Sequence, residues 1–134
     1  MSLTLTLAVA DLERTAAFYA LMGLPPERFV PLPGHAPILL LPQGDATILF
    51  REDATLAARH PALFDDLDRR PRGIGTVLEF SVADISGALR AIERHHIVPC
   101  YELEDDEFHR REVWLHDPDG YLVVLAEEPP PPAS

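Results

Sequence analysis

The chain opens on a strict alternation of leucine and threonine. From Leu3 to Leu7 the leucines fall on one side and Thr4 and Thr6 on the other, and the apolar pattern continues to Val9. A period of two is that of a half-buried strand. The period then lengthens: Leu12, Ala16, Tyr19 and Met22 recur at helical spacing, Asp11 stands at the N-cap position, and Gly23 with Pro25 ends the run. Three short apolar stretches follow, Phe29–Leu32, Ile38–Leu41 and Thr47–Phe50, separated by Pro33-Gly34 and by Gln43-Gly44-Asp45. They predict a meander of three strands.

Residues 52–73 carry more charge, alanine and proline, and read as a linker with a short helix over Pro61–Arg70. Beyond it the order begins again. Val82-Ala83-Asp84-Ile85 repeats Val9-Ala10-Asp11-Leu12, with Asp84 in the cap position. Ile85, Ala88, Leu89 and Ile92 then mark the apolar face of a second helix, and His95 and His96 sit at its end, where positive charge suits the helix dipole. A strand over Val98–Leu103, an acidic loop Glu104–Glu107 and a hairpin over Val113–Leu125 complete the second half. In the hairpin turn, Asp117 can bond the backbone two residues on, Pro118 presets φ, and Gly120 accepts a positive φ. Each half thus reads β-α-β-β-β, an α+β chain of two tandem copies of one unit. The first module spans about 1–70, the second about 74–127, and a proline-rich tail occupies 128–134, all within one domain. The tail reads as an extended polyproline segment or as disordered.

Composition narrows the function. At 134 residues and 47% hydrophobic, the chain suits one domain that buries roughly two-thirds of its unfolded surface. It has no run of about 18 apolar residues to cross a bilayer and no signal-peptide pattern at its start, so a cytoplasmic location is expected. A net charge of −11, from 22 acids against 11 bases, repels phosphate backbones and anionic lipid, leaving neither nucleic acid nor membrane as an expected partner. The same field favours cationic ligands. Cys100 is the only cysteine, which excludes an internal disulfide, and it reads as a small buried apolar residue.

The matching order of strand, capped helix and glycine-turned hairpin resembles the vicinal-oxygen-chelate superfamily. That superfamily includes glyoxalase I, extradiol ring-cleaving dioxygenases, and fosfomycin- and bleomycin-resistance proteins. The likeness covers nearly the whole chain. It is carried by Val9-Ala10-Asp11-Leu12 with Phe18-Tyr19 and Gly23-Leu24, by Val82-Ala83-Asp84-Ile85, and by Phe108-His109-Arg110-Arg111 running into Asp117-Pro118-Asp119-Gly120. The resemblance implies two βαβββ modules whose curled mixed sheets enclose a cavity, and a homodimer. In the metalloenzymes of the superfamily a divalent ion is held by His, Glu or Gln at one inward position on the first and last strand of each module, where it polarises vicinal substrate oxygens. Carried over by position, those ligands fall on Thr4, on Leu49 (or Ile48 if the register slips by one), on Val77 and on Val124. None is a metal ligand of the usual kind, so no metal and no cofactor is expected.

Alternation along the strands nominates further inward residues: Thr6 beside Thr4, Glu79 beside Val77, Leu122 beside Val124. Resemblance to the fosfomycin-resistance proteins adds Glu112 and Trp114. The expected ligand-binding set is therefore Thr4, Thr6, Leu49, Val77, Glu79, Glu112, Trp114, Leu122 and Val124, an apolar cavity with an indole and one or two carboxylates. Such a cavity favours cations, through charge and through the face of Trp114. Glu79, between Leu78 and Phe80, reads as a buried carboxylate that either pairs with Arg51, Arg110 or Arg111 or serves a ligand or proton transfer. His109 and His116 are an odd number of positions apart beside Glu112, so a strand would send them to opposite faces.

Three readings follow from these residues. The first is a metal-free protein that binds a small cationic or aromatic organic molecule in the manner of bleomycin-resistance proteins, antibiotic resistance being one use of such a pocket. The second is a metal-independent isomerase or lyase with a buried Glu as general base. The third is a glyoxalase- or dioxygenase-type metalloenzyme, against which the four substituted positions stand. No catalytic residue is assigned.

Overall fold

The computed structural model describes residues 1–69, 71–107 and 110–128. The chain divides into two compact units, Met1–Arg72 and Gly73–Ser134, each built on a four-stranded mixed sheet. The proline-rich tail from 129 onward, Phe108 and His109 lie outside the described residues. Among the described residues no helix is long and apolar enough to cross a membrane.

In the first unit the order is β1 (Leu3–Val9), α1 (Leu12–Leu21), β2 (Glu27–Phe29), β3 (Ile38–Gln43) and β4 (Ala46–Glu52). The strands lie in the order β1-β4-β3-β2, with β1 and β4 parallel and the other pairs antiparallel. Alternation decides which face is covered: Leu7, Val9, Leu39, Leu41, Ile48 and Phe50 are buried, while Thr4 and Thr6 are exposed. Against the buried face lies α1, whose fully buried Tyr19 stacks on Phe50 at 5.1 Å. Asp11 starts the helix as the spacing predicts, its Oδ1 accepting the Glu13 amide at 2.8 Å. The first strand of the predicted meander shifts toward the N-terminus. β2 ends at Phe29, and Val30 and Leu32 are half exposed, because Pro31 and Pro33 deny that stretch the amides a ladder needs. The linker is more helical than its composition suggests: α2 (Asp53–Arg59) precedes α3 (Pro61–Phe64) and a 3-10 turn at Leu67–Arg69. Asp53 and Arg72, at the two ends of this segment, form a two-pronged ion pair, and Arg72 also donates to the Ala8 carbonyl at 2.9 Å.

The second unit repeats the plan: β5 (Val77–Val82), α4 (Ser86–Arg94), β6 (Tyr101–Asp105), β7 (Arg110–His116) and β8 (Leu122–Glu127), ordered β5-β8-β7-β6 with β5 and β8 parallel. Leu78, Phe80, Val113, Leu115, Val123 and Leu125 form its buried layer, together with Ile85, Ala88 and Ile92 of the helical segment. In the β7–β8 turn Gly120 takes φ +95° and donates to the Asp117 carbonyl at 3.0 Å. The buried Asp117 carboxylate accepts the amides of Asp119 and Tyr121 at 2.9 and 3.0 Å, so the turn is locked from inside. Two sequence expectations shift in this unit. Val98 is exposed and β6 begins at Tyr101, which places Glu104 and Asp105 in the strand rather than in a loop. Cys100, expected to be buried, is exposed.

Asp84 is not the N-cap of α4. Ile85 holds that position and has no side-chain oxygen, so the cap is supplied from elsewhere: the Glu127 carboxylate at the end of β8 accepts the Ile85 amide at 3.1 Å, while Asp84 accepts that of Ser86 at 2.8 Å. Arg111 joins the two acids. Its Nε and Nη2 donate to the two Glu127 oxygens at 3.1 and 2.8 Å, and Nη2 also reaches Asp84 at 3.2 Å and Ser86 Oγ at 2.9 Å. The Arg111 bonds hold the Glu127 carboxyl below the ordinary carboxylate range, outweighing the upward push of burial, and the Ile85 amide adds to the effect. Asp84 is lowered as well, first by its bonds with Ser86 and then by the Arg111 charge.

With both carboxyls lowered, the unfolded chain binds more protons than the folded one in acid, so this stability is complete above the ordinary carboxylate values and is lost as pH falls. Stability toward denaturant should therefore fall between about pH 5 and pH 3, and Glu127→Gln should flatten that dependence while costing about 1–3 kcal/mol at pH 7. Equal pH slopes for the two proteins would sink this account. A second expectation concerns Gly73, whose φ is +65° and where an added Cβ would stand 2.5 Å from the Tyr121 ring. Gly73→Ala should lower stability by about 1–3 kcal/mol in the same assay.

Candidate functional site

Strand register fixes what shares a face. In the second unit, Tyr101 of β6 pairs with Trp114 of β7, Trp114 with Val124 of β8, and Val124 with Glu79 of β5. This makes one row across all four strands. On one side of it runs Leu103, Glu112, Ala126 and Ser81; on the other, His116, Leu122 and Val77. Arg111 has the opposite parity and reaches Ser86 of α4, so these rows lie on the face turned away from that helix. The structure thus brings Val77, Glu79, Glu112, Trp114, Leu122 and Val124 onto a single face. In the first unit Thr6 pairs with Leu49 and Thr4 with Thr47, on the face opposite the buried layer.

The indole is held in place by a charge. Trp114 Nε1 donates to Glu112 Oε1 at 2.7 Å, and the other Glu112 oxygen accepts from Arg110 Nη2 at 3.1 Å. Residues 110, 112 and 114 follow one another along one face of β7, so the alternation of a single strand builds the whole relay. Glu112 is buried with both oxygens engaged. Tyr101 meets the indole edge-on, ring centroids 6.0 Å apart at 86°. Trp114 remains half-buried, Tyr101 is half exposed, and Val124 forms a buried floor beside them.

Glu79 corrects the sequence reading: its carboxylate is exposed, with Leu78 and Phe80 on the other face, and the two arginines of its own unit expected to neutralise it are engaged with other acids. Arg110 is bound to Glu112, and Arg111 to Glu127 and Asp84. An isolated hydrophilic letter in an apolar strand signals the solvent side of the pleat as readily as a buried charge. Glu127, which the sequence reading missed, ends β8 as an acid directly after an apolar run, a signal it shares with any strand end.

The family model of the Glyoxalase/Bleomycin resistance protein/Dioxygenase superfamily matches residues 3–125. The chain belongs to this superfamily. Solved members and neighbours share its fold at low identity. A glyoxalase/bleomycin resistance protein from Catenulispora acidiphila DSM 44928 is 18% identical, with 96% of this chain and 99% of that one covered at a TM-score of 0.58. A lactoylglutathione lyase from Agrobacterium tumefaciens is also 18% identical, covering 95% and 92% at 0.56. A hypothetical protein from S. aureus is 15% identical, covering 96% and 92% at 0.65. No curated protein matches the chain.

Membership raises the question of a metal. The positions to which the superfamily's ligands map hold Thr4, Leu49, Val77 and Val124, and three of these side chains have no donor atom. Reading two residues along does not repair the set, because the register puts Thr6 opposite Leu49 and Glu79 opposite Val124, one carboxylate in two pairs. Among the described residues no group of three His, Cys, Asp or Glu side chains is placed to hold an ion. His109 lies outside them; His116 is exposed beside the turn, its Nδ1 3.2 Å from the Gly120 carbonyl oxygen. The residues present do not fit a divalent centre of the superfamily's kind.

Because Glu112 orients Trp114, Glu112→Ala should cost about 1–3 kcal/mol and shift Trp114 emission to the red as the indole loses its acceptor. Glu112→Gln keeps an acceptor oxygen and should retain most of the emission position. Identical spectra for Glu112→Ala and the unaltered chain would show that the bond does not hold the ring in solution.

Proposed function

We propose that this superfamily member is a metal-free protein that binds a small cationic, aromatic-bodied organic molecule on the open face of its second sheet. The observation that carries the reading is the row Tyr101, Trp114, Val124, Glu79, an aromatic pair and a solvated carboxylate facing one way across an apolar floor. Neighbouring strands are about 4.8 Å apart, so Glu79 and Trp114 attach about 10 Å from each other. A flat ligand lying over the half-buried Leu122 meets the indole at one end and the Glu79 charge at the other. Its cation gains from both, while its ring buries apolar area.

Two features of the site favour binding over base catalysis. Glu79 is exposed, and Glu112 spends both oxygens on Trp114 and Arg110, so neither is a sequestered carboxylate with a free lone pair aimed at a substrate. The Catenulispora and Agrobacterium neighbours, each 18% identical, share the fold, and at that level of identity they lend this chain neither a ligand nor a reaction. Thr4, Thr6 and Leu49 form the matching face of the first unit, and the resemblance adds a homodimer to this reading.

The test uses Trp114, the single tryptophan, as reporter. Titration with a cationic glycopeptide and with planar aromatic amines should give saturable changes in emission, weakened several-fold by Glu79→Gln and by added salt. Loss of binding heat in Trp114→Leu, followed by calorimetry because that variant has no tryptophan, with an unchanged unfolding temperature would support the site. Saturable binding that neither substitution alters would move it elsewhere, and turnover of a hydroxy-acid thioester by metal-free protein would replace the reading with that of a lyase.

A further inference from the structure

The first unit contains a hollow of about 250 Å³ with a character opposite to that of the whole chain. Pro31, Leu32 and Ala36 give it an apolar lining, and Arg51, Thr55 and Arg59 a polar one. His35 stands among them, on a turn closed by its own amide to the Leu32 carbonyl at 3.0 Å. Among the described residues no acid lines the space, although the chain carries 22 acids against 11 bases.

The two arginines are also without counter-ions. Arg28, Arg69, Arg72, Arg110 and Arg111 each meet a carboxylate; among the described residues Arg51 and Arg59, like Arg14, Arg90 and Arg94, meet none, and only these two share a hollow. The sequence neighbours of Arg51 do not supply one. Glu52 follows it on the strand and points to the other face, and Asp53 is taken by both prongs of Arg72. Arg51 is half-buried, so its guanidinium loses part of its water without gaining a partner. Arg59, on the last turn of α2, is exposed and able to swing over the opening. Guanidinium groups present planar pairs of N–H donors that match carboxylate and phosphate oxygens. Thr55 can add a hydroxyl and His35 a ring N–H.

We propose that this hollow is a binding site for the oxyanion end of a small organic acid or phosphate ester, with Arg51 as the fixed donor and Arg59 as the closing one. The apolar wall of Pro31, Leu32 and Ala36 then receives the carbon portion of the ligand. The inference goes beyond the cation-binding reading and uses residues of the other unit. Its readout does not involve Trp114, so either proposal can fail alone.

The experiment is calorimetric titration of the full chain at low ionic strength with sulfate, succinate and glycerol phosphate, against sodium chloride of equal ionic strength. Saturable binding of at least one oxyanion, weakened about tenfold or more in Arg51→Gln and in Arg59→Gln, is the expected result. Tighter succinate would assign a carboxylic acid, tighter glycerol phosphate a phosphate ester, and either supports an oxyanion site. Should Arg51→Gln fail to fold, Arg59→Gln at an exposed helical position decides. Heat no greater than that of sodium chloride, or equal binding by the unaltered chain and a folded variant, overturns the proposal.

Discussion

The second unit depends on the fork between Arg111 and Glu127. One carboxylate closes three elements at once: it takes two guanidinium N–H groups from β7, ends β8 itself, and accepts the Ile85 amide at the start of α4. Since Ile85 cannot cap a helix with its own side chain, the first turn of α4 has its acceptor only through this contact and through Asp84. The fork also sets parity. With Arg111 committed to the helical side, Arg110, Glu112 and Trp114 must face the other way, and a slip of one residue in β7 would exchange the two sets. Placement of the indole therefore follows from an ion pair on the opposite face of the sheet.

Charge is distributed unevenly between what the chain shows and what it holds. Most of the acids are on the surface, yet three of the buried or half-buried ones have a defined duty: Asp117 locks a turn, Glu112 aims an indole, Glu127 caps a helix. Asp53 joins the ends of the linker of the first unit through Arg72.

Much of the fold was legible because it rests on local periodicity. The β1 alternation, the Asp11 cap and the Asp-Pro-Asp-Gly turn are each decided within a few residues, and the repeat of Val-Ala-Asp then places the second copy. What failed depends on contacts distant in sequence. Asp84 has the same letter as Asp11 and one position less of reach, because Glu127, far along the chain, occupies the cap. α2 went unseen because its seven residues carry one buried side chain, Leu56, and offer no apolar stripe. The face of the site residues could be derived from alternation, whereas the exposure of Glu79 and the partners of Arg110 and Arg111 required knowing which strands are adjacent.

Each sheet separates its duties by side. The layer of Val113, Leu115, Val123 and Leu125 is fully buried and has no room for change, whereas Thr6, Val77 and Glu79 on the other faces are exposed and contribute little to packing. Substitutions at such positions usually move stability by less than about 0.5 kcal/mol. A scaffold arranged in this way can change what it recognises in single steps without passing through an unfolded intermediate sequence, which makes the open faces the natural place to retarget this chain by directed evolution.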